Sequence, residues 1–380
     1  MNREPLLSLT KRLTVPYTAP YNEHEARSAL HEALMHLRLP YEMDPFGNTV
    51  VRVRYGHPRR QVAFVAHLDH PGFRVTEVKG SEVTCLAEGG LPTVGIKGAK
   101  VIFPRVGSPA TTGKVSAAKL VTHNGRAKVE SLKVRLGAKA VIPSIGSFGV
   151  FDLPSFKMTG QRMKVRAADD AVGVAAVVAA LHDLSRQHSA CDVVGLFTRA
   201  EEVGFHGALA AAIEGRLLPR DTFIVSVECS RAYDHVAHGK GPVVRLGDRT
   251  GPFHPRVTSL LLGAAKELAH KKFAYQSALM SGGTTEATAF AAFDYASGGI
   301  ALPLANYHNQ GPRGVAAEEV DFRDLDGAVR LIAATALRAG AGIDDIDLLR
   351  NELVLSSQEG RDHLREAIDP TTGYPVGTKF

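Results

Sequence analysis

The sequence predicts an α/β protein: a mixed, largely parallel sheet flanked by helices, with a small all-β domain inserted into it. Three observations carry that expectation. Near-continuous apolar runs such as Gln61–Ala66 and Phe223–Val227 read as strands covered on both faces, the mark of a parallel sheet. Ala- and Leu-rich segments at helical spacing alternate with these runs in both halves of the chain. Between them, from about Gly72 to Gly160, short Val, Ile and Thr runs are broken by Gly and Pro, and no long helical pattern intervenes. The expected segments are therefore 1–71 and 161–380, forming one catalytic α/β domain, and 72–160, a β-barrel-like insertion.

Taken in order, Ala29, Leu30, Ala33, Leu34 and Leu37 recur at helical spacing, with Asn22 placed as the N-cap. Val50–Tyr55 alternates like a strand, and Gln61–Ala66 ends at His67-Leu68-Asp69-His70. Inside the insertion the strand candidates are Val75–Val78, Val94–Ile96, Val101–Pro104, Leu132–Leu136 and Val141–Pro143. Basic residues outnumber acidic ones there, which reads as a solvated face, with a ligand site as the alternative. Asp169-Asp170 then opens a helix rich in small residues that runs through Leu181. Asp192–Thr198 is a buried strand ending at Glu201-Glu202, with Gly204 just beyond. A helix near Ala208–Ile213 leads to the strand Phe223–Val227, which ends at Glu228. A helix follows over Pro255–His270, then a glycine turn at Ser281–Ala287 that opens another. Ile300–Tyr307 is a last strand or extended segment, ending at His308. The helix Leu325–Arg338 closes the domain, and an amphipathic stretch over Ile343–Ile368 and a polar tail follow.

Composition narrows the class. The chain has 380 residues, 44% hydrophobic and 22% charged, which supplies ample core for a globular protein. Three cysteines are too few and odd in number for a disulfide framework, so a reducing cytoplasm is expected. The start lacks a signal-peptide core and no apolar run reaches membrane-spanning length, so no membrane association is expected. A net charge of +6 comes without any nucleic-acid motif, and no nucleic-acid partner is expected.

The chemistry gathers at strand ends. Two adjacent ionised carboxylates, Glu201 and Glu202, cannot sit at the rim of a core unless water solvates both or a cation holds one. His67, Glu202, Glu228 and His308 each follow a predicted strand, and Asp169 precedes a helix. Open α/β sheets bind ligands outside the carboxyl ends of their strands, so these residues should converge. Each has a plain alternative: a satisfied core histidine, a helix N-cap, a solvated helix start. Together, two imidazoles and three carboxylates suffice for two divalent ions roughly 3.5–4 Å apart with one carboxylate bridging. Ligation by nitrogen and oxygen without thiolate suits zinc, cobalt or manganese. Asp69, two residues beyond His67, is placed to orient that imidazole.

These residues carry a resemblance. Ala66–Phe73, the Asp169-Asp170 pair, Glu201–Ala208, Ser281–Thr284 and a late histidine resemble the glutamyl aminopeptidase / tetrahedral aminopeptidase family, one of the co-catalytic dinuclear metallopeptidases. The resemblance spans about Pro20 to Arg338. It implies a catalytic α/β domain with an inserted barrel that serves homo-oligomerisation. Carried over by position, His67 and Glu228 would bind one metal and Glu202 and His308 the other, with Asp169 bridging and Glu201 as general base. The chain departs from the family pattern at His70, where Glu is usual, at Ala171 for Arg, at Thr285 for Asp and at Glu228 for Asp. Glu at this last position resembles related carboxypeptidases and deacylases.

The expected activity is hydrolysis of N-terminal residues from short peptides, with a metal-activated water whose proton passes through Glu201 to the leaving amine. Two alternatives stand beside it. One is a carboxypeptidase-like enzyme or N-acyl amino acid deacylase, motivated by Glu228; the other is a non-catalytic metal-binding assembly protein. Gly282 and Gly283 offer backbone N–H groups to an anionic substrate group, with a plain turn as the alternative.

Overall fold

The computed structural model describes residues 1–105, 107–123, 125–233, 235–270 and 273–377. A nine-stranded mixed sheet runs through its α/β part. Four strands at the middle are parallel: Cys191–Thr198, Gln61–His67, Phe223–Arg231 and Ser297–Leu304, in that spatial order. Thr49–Tyr55 pairs antiparallel on one flank and Val243–Asp248 on the other. The register sets Thr198 beside His67 and Glu228 beside Ala301, so the carboxyl ends of these strands lie along one edge.

Both faces of the parallel strands are covered, which is why their sequences are apolar at successive positions. Val62, Phe64 and Ala66 enter the larger core, made with the helices Ala168–Gln187, Pro255–Ala269 and Phe322–Gly340. Ala63 and Val65 point the other way, against His206–Glu214 and Glu286–Ala291. The helix Ala168–Gln187 is buried on nearly all sides from Val172 to Leu181. Its run of Ala, Val and Gly lets backbones approach closely where a larger residue would not fit.

Between Gly72 and Phe151 six antiparallel strands close into a small barrel. Phe73, Phe103 and Phe151 fill it, packed edge to face with centroids 5.8 and 6.0 Å apart. Its longest hairpin, Thr111–His123 with Arg126–Leu136, stays paired out to His123 and Arg126. A separate three-stranded sheet joins Lys157–Thr159, Arg162–Val165 and Glu318–Asp321.

Several local expectations change. The helix expected after Asn22 starts at His24, behind an earlier core helix over Arg3–Thr14, and the residue before it is Glu23, not Asn22. Glu23 is fully buried and its carboxylate takes hydrogen bonds from Tyr21, Ala200 and Arg199, so tertiary pairing sets where the helix begins. Val94–Ile96 and Val141–Pro143 are not strands; Thr93 and Val94 donate instead to the Gln310 side chain across the domain junction. The strand at Phe223 runs on through Glu228 to Arg231, and the last central strand ends at Leu304, short of a turn at Tyr307–Asn309. Ile343–Ile368 forms two helices, Asp345–Ser356 and Gln358–Glu366, that fully bury no residue, and most of their apolar side chains stay exposed. Ion pairs from Arg256 to Asp344 and Asp347 tie the first of them to the α/β part. The last three residues of the polar tail lie outside the described residues.

Phe64 is fully buried at the centre of the sheet. Phe64→Ala is expected to cost about 3–5 kcal/mol through lost burial and an unfilled cavity, seen as a lowered urea midpoint. A midpoint within error of wild type would contradict its central position.

Candidate metal centre

The carboxyl edge of the parallel strands delivers the predicted side chains to one place. His67 is the last residue of its strand. Glu201 and Glu202 follow the neighbouring strand across a turn in which Ala200 has φ of 52°. His308 follows the fourth strand with φ of 53°. Left-handed backbone at such residues costs on the order of 1–3 kcal/mol each, so surrounding contacts must hold it. At His308 one such contact is a glycine: a Cβ at Gly90 would lie 2.6 Å from His308 Nδ1. Asp169 sits in the first turn of its helix.

The distances are close. His67 Nε2 is 3.5 Å from Asp169 Oδ1 and 4.0 Å from Glu201 Oε2. His308 Nε2 is 3.7 Å from Asp169 Oδ2 and 3.2 Å from Glu202 Oε1. One donor atom each from His67, Asp169 and Glu202 falls within 4.8 Å of the others. Asp169 Oδ1, Glu202 Oε1 and His308 Nε2 are buried and make no hydrogen bond. Buried polar atoms without partners are rare and need a reason; three that converge fit a divalent cation.

Glu228 is brought to the same cavity but with partners of its own. Arg245 Nη1 lies 3.3 Å from its Oε2, and Ser226 donates to its Oε1 at 3.0 Å. Asp69 stands beside His67, yet its carboxylate is 3.6 Å from Nδ1. The closer partner of Nδ1 is the Asp69 main-chain carbonyl at 3.1 Å. The carboxylate instead accepts the backbone N–H groups of Glu201 at 2.9 Å and Glu202 at 3.1 Å, fixing the turn that presents both glutamates. The Gly282 and Gly283 segment lines the cavity as a turn ahead of a helix that starts only at Glu286.

Burial sets the protonation of the group. It pushes Glu201 well above the usual carboxylate range, with Glu202 and Glu228 adding to the rise against the pull of His67. Burial also raises Glu228 to about 7, against the opposing charge of Arg245. For His308 burial alone would favour the neutral ring, but Glu202 and Asp169 outweigh it and carry the pKa to about 10. His67 is raised for the same reason, by Glu201, Asp169 and Asp69.

Four supporting residues escaped the sequence reading as site members. Glu318 is fully buried: one oxygen accepts from the N–H groups of Ala168 and Asp169, the other from that of His308 at 2.8 Å. Glu286, raised to about 8 by burial, accepts from Thr198 and lies under Glu228 through its own N–H. Arg245 sits 17 positions beyond Glu228 with nothing around it to mark it. His70 had shown only as a departure; its Nδ1 lies 2.6 Å from the Asp169 carbonyl and its Nε2 3.3 Å from Asn309 Oδ1. Thr285, another departure, caps the helix Glu286–Ala291.

A mixed α/β sheet with a barrel alongside and this donor set at its carboxyl edge defines a class of protein with a candidate divalent-metal site. The family model described as M42 glutamyl aminopeptidase matches residues 47–331, and the chain belongs to that family. It is thus an enzyme of a metal-dependent peptidase family. A protein of Acetivibrio thermocellus to which an aminopeptidase function is ascribed is 24% identical over 347 residues, covering 87% of this chain and 98% of the other. An aminopeptidase from the archaeon Desulfurococcus kamchatkensis matches in structure with a TM-score of 0.75 at 23% identity, over 88% of this chain and 95% of that one. The TET1 peptidase of Pyrococcus horikoshii, which assembles into a tetrahedron or a large octahedral shell, matches at 0.73 and 23% identity over 87% and 99%. At such identities the two structures establish the fold.

Metal uptake should depend on pH with a definite sign. A His308 imidazole with pKa of about 10 carries a proton at pH 7 that a bound cation must displace. Apparent affinity should therefore rise with pH, about tenfold per unit for each proton released. Chelator competition at pH 6, 7 and 8 checks this, and a flat profile would argue against imidazole ligation. His67→Ala and His308→Ala should each lower metal content by elemental analysis.

Proposed function

We propose that this enzyme is an aminopeptidase that removes N-terminal residues from short peptides, using two divalent ions at the carboxyl edge of the sheet. His67 and Glu228 would hold one ion, Glu202 and His308 the other, and Asp169 would bridge them. The observation that carries this reading is Asp169 itself: its two oxygens face two different imidazoles, at 3.5 and 3.7 Å. The nitrogen and oxygen donors suit zinc, with cobalt and manganese as alternatives. When bound, such ions lower the pKa of water toward neutrality and polarise the scissile carbonyl.

The remaining work falls to side chains. The Glu201 carboxylate accepts no hydrogen bond from any described residue, and burial raises its proton affinity well above that of an ordinary carboxylate. It would take the proton of the attacking water on its carboxylate and hand it to the departing amine. Asp69, through the Glu201 and Glu202 N–H groups, keeps base and ligand at a fixed separation. That fixity matters because an ångström of misplacement costs orders of magnitude in rate. Glu318 does the same for Asp169 and His308. These two carboxylates are positioning residues in this scheme.

One observation favours a second reading. The Glu228–Arg245 pair sets a buried cation beside a proposed ligand, as would suit a carboxypeptidase-like enzyme or N-acyl amino acid deacylase. Matched peptides with free and acetylated amino termini separate the two; faster cleavage of the blocked series would reverse the assignment. The barrel is the proposed surface for homo-oligomerisation, by analogy with the TET1 assemblies. Light scattering of the purified enzyme should give a mass several times that of one chain. Cys85, Cys191 and Cys229 are free and buried, which suits a reducing cytoplasm.

Glu201→Gln is the central test. The variant should keep its metal content and lose at least about a hundredfold in kcat, measured with a chromogenic aminoacyl anilide. Unchanged turnover would remove Glu201 as the base.

A further inference from the structure

The cavity around the candidate centre has a polarity that the proposed reaction does not use. It measures about 430 Å³, and Asp169, Glu201, Glu202 and Glu228 line it together with four arginines. Arg245 is buried and committed to Glu228 at 3.3 Å. Arg126, Arg231 and Arg249 are exposed, and among the described residues no carboxylate forms an ion pair with any of them. They come from three places: the end of a central strand, the turn after Val243–Asp248, and the far end of the long barrel hairpin. Arg249 is anchored, its N–H donating to the Gly283 carbonyl at 3.0 Å and its guanidinium to that of Gly282.

Like charges directed at one opening repel one another unless an anion joins them. Arginine is suited to that task because its planar fork meets a carboxylate with two parallel hydrogen bonds. We propose that Arg126, Arg231 and Arg249 receive the free C-terminal carboxylate of a very short peptide, so that the enzyme prefers dipeptides and tripeptides to longer or C-terminally blocked chains. The proposal rests on the aminopeptidase function above. Its direction follows from burial. The metal donors lie at the buried end, where the scissile carbonyl must sit, and Arg126, Arg231 and Arg249, which form no ion pair among the described residues, lie at the exposed end, where the substrate emerges. For a chain of two or three residues that emerging part is a carboxylate, because each residue extends only about 3.5 Å. An acidic side chain on the N-terminal residue would need its cation at the buried end, and the arginine there already serves Glu228.

The test compares a dipeptide and a tripeptide with their C-terminal amides, alongside aminoacyl anilides with apolar and acidic side chains. Amidation should lower kcat/KM about tenfold or more, chiefly through KM, as expected for loss of a charge-assisted contact. Arg126→Ala, Arg231→Ala and Arg249→Ala should each erode the advantage of the free acid over its amide. Equal rates for acids and amides would overturn the proposal. So would a preference for acidic anilides that vanishes in the arginine variants, since that assigns the cations to a side chain. Calorimetric titration of the dipeptide and its amide into the Glu201→Gln enzyme reads the same preference without turnover. A binding preference for the acid with no cleavage of any free-amino substrate would sink the aminopeptidase assignment and leave the carboxylate site standing.

Discussion

Crowding of buried carboxylates at one edge of the sheet is the constraint on which this structure turns. Asp169, Asp170, Glu228 and Glu286 are all buried, and the side chains of Glu201 and Glu202 are only 10% and 6% exposed. Removing that many anions from water is prohibitive unless each is protonated, hydrogen-bonded or paired with a cation. The protein supplies part of the compensation. Arg245 meets Glu228, Thr198 meets Glu286, and the Cys229 N–H meets Asp170. The rest is left to two histidines, which face Asp169 Oδ1 and Glu202 Oε1 without hydrogen-bonding to them. That residue of unmet charge is the physical case for cations as part of the folded state. By linkage, an ion that binds only the folded chain would add to its stability.

A second layer of carboxylates acts on backbone and not on side chains. Glu23 accepts the Ala200 N–H, Asp69 those of Glu201 and Glu202, and Glu318 those of Ala168, Asp169 and His308. The turns at Ala200–Glu202, Asp169 and His308 are thus each pinned by an anion from another element. This explains how Ala200 and His308 persist with left-handed backbone, since the strained turns are over-determined by charge-assisted bonds. The precision of the cluster resides in this layer.

How legible all this was in the sequence follows from range. Apolar runs and helical spacing announce the parallel strands and the helices over them, because burial on both faces is a local property of composition. The five proposed ligands could be gathered because each sits at or near the end of such an element, and sheet topology does the rest. Glu318 and Arg245 could not: Glu318 lies on an edge strand paired with Arg162–Val165, a contact with no local signature, and Arg245 lies on an antiparallel flank. His70 was visible only as the wrong residue in a familiar place, and its meaning waited on Asn309 lying near it in space. Asn22 failed as a cap for the converse reason, that Glu23 is held by Arg199 and Ala200 from far along the chain. The C-terminal stretch shows that an apolar pattern reports the capacity to be buried and not the burial, for Leu348, Leu353 and Leu355 stay exposed.

The barrel belongs in the same electrostatic account. Its longest hairpin carries Arg126 to the cavity, while the loop after Glu88 brings Gly90 against His308. Thr93 and Val94 are held by Gln310, two residues past that histidine. The α/β part by itself would therefore present its buried acids with one wall missing and His308 without its neighbour. Insertion at Gly72, five residues beyond His67, places the barrel where it can shape the opening of the cavity. A substitution within the barrel core can then reach the centre through Gly90 and Gln310, with no contact to any ligand, because the packed interior transmits strain and does not absorb it.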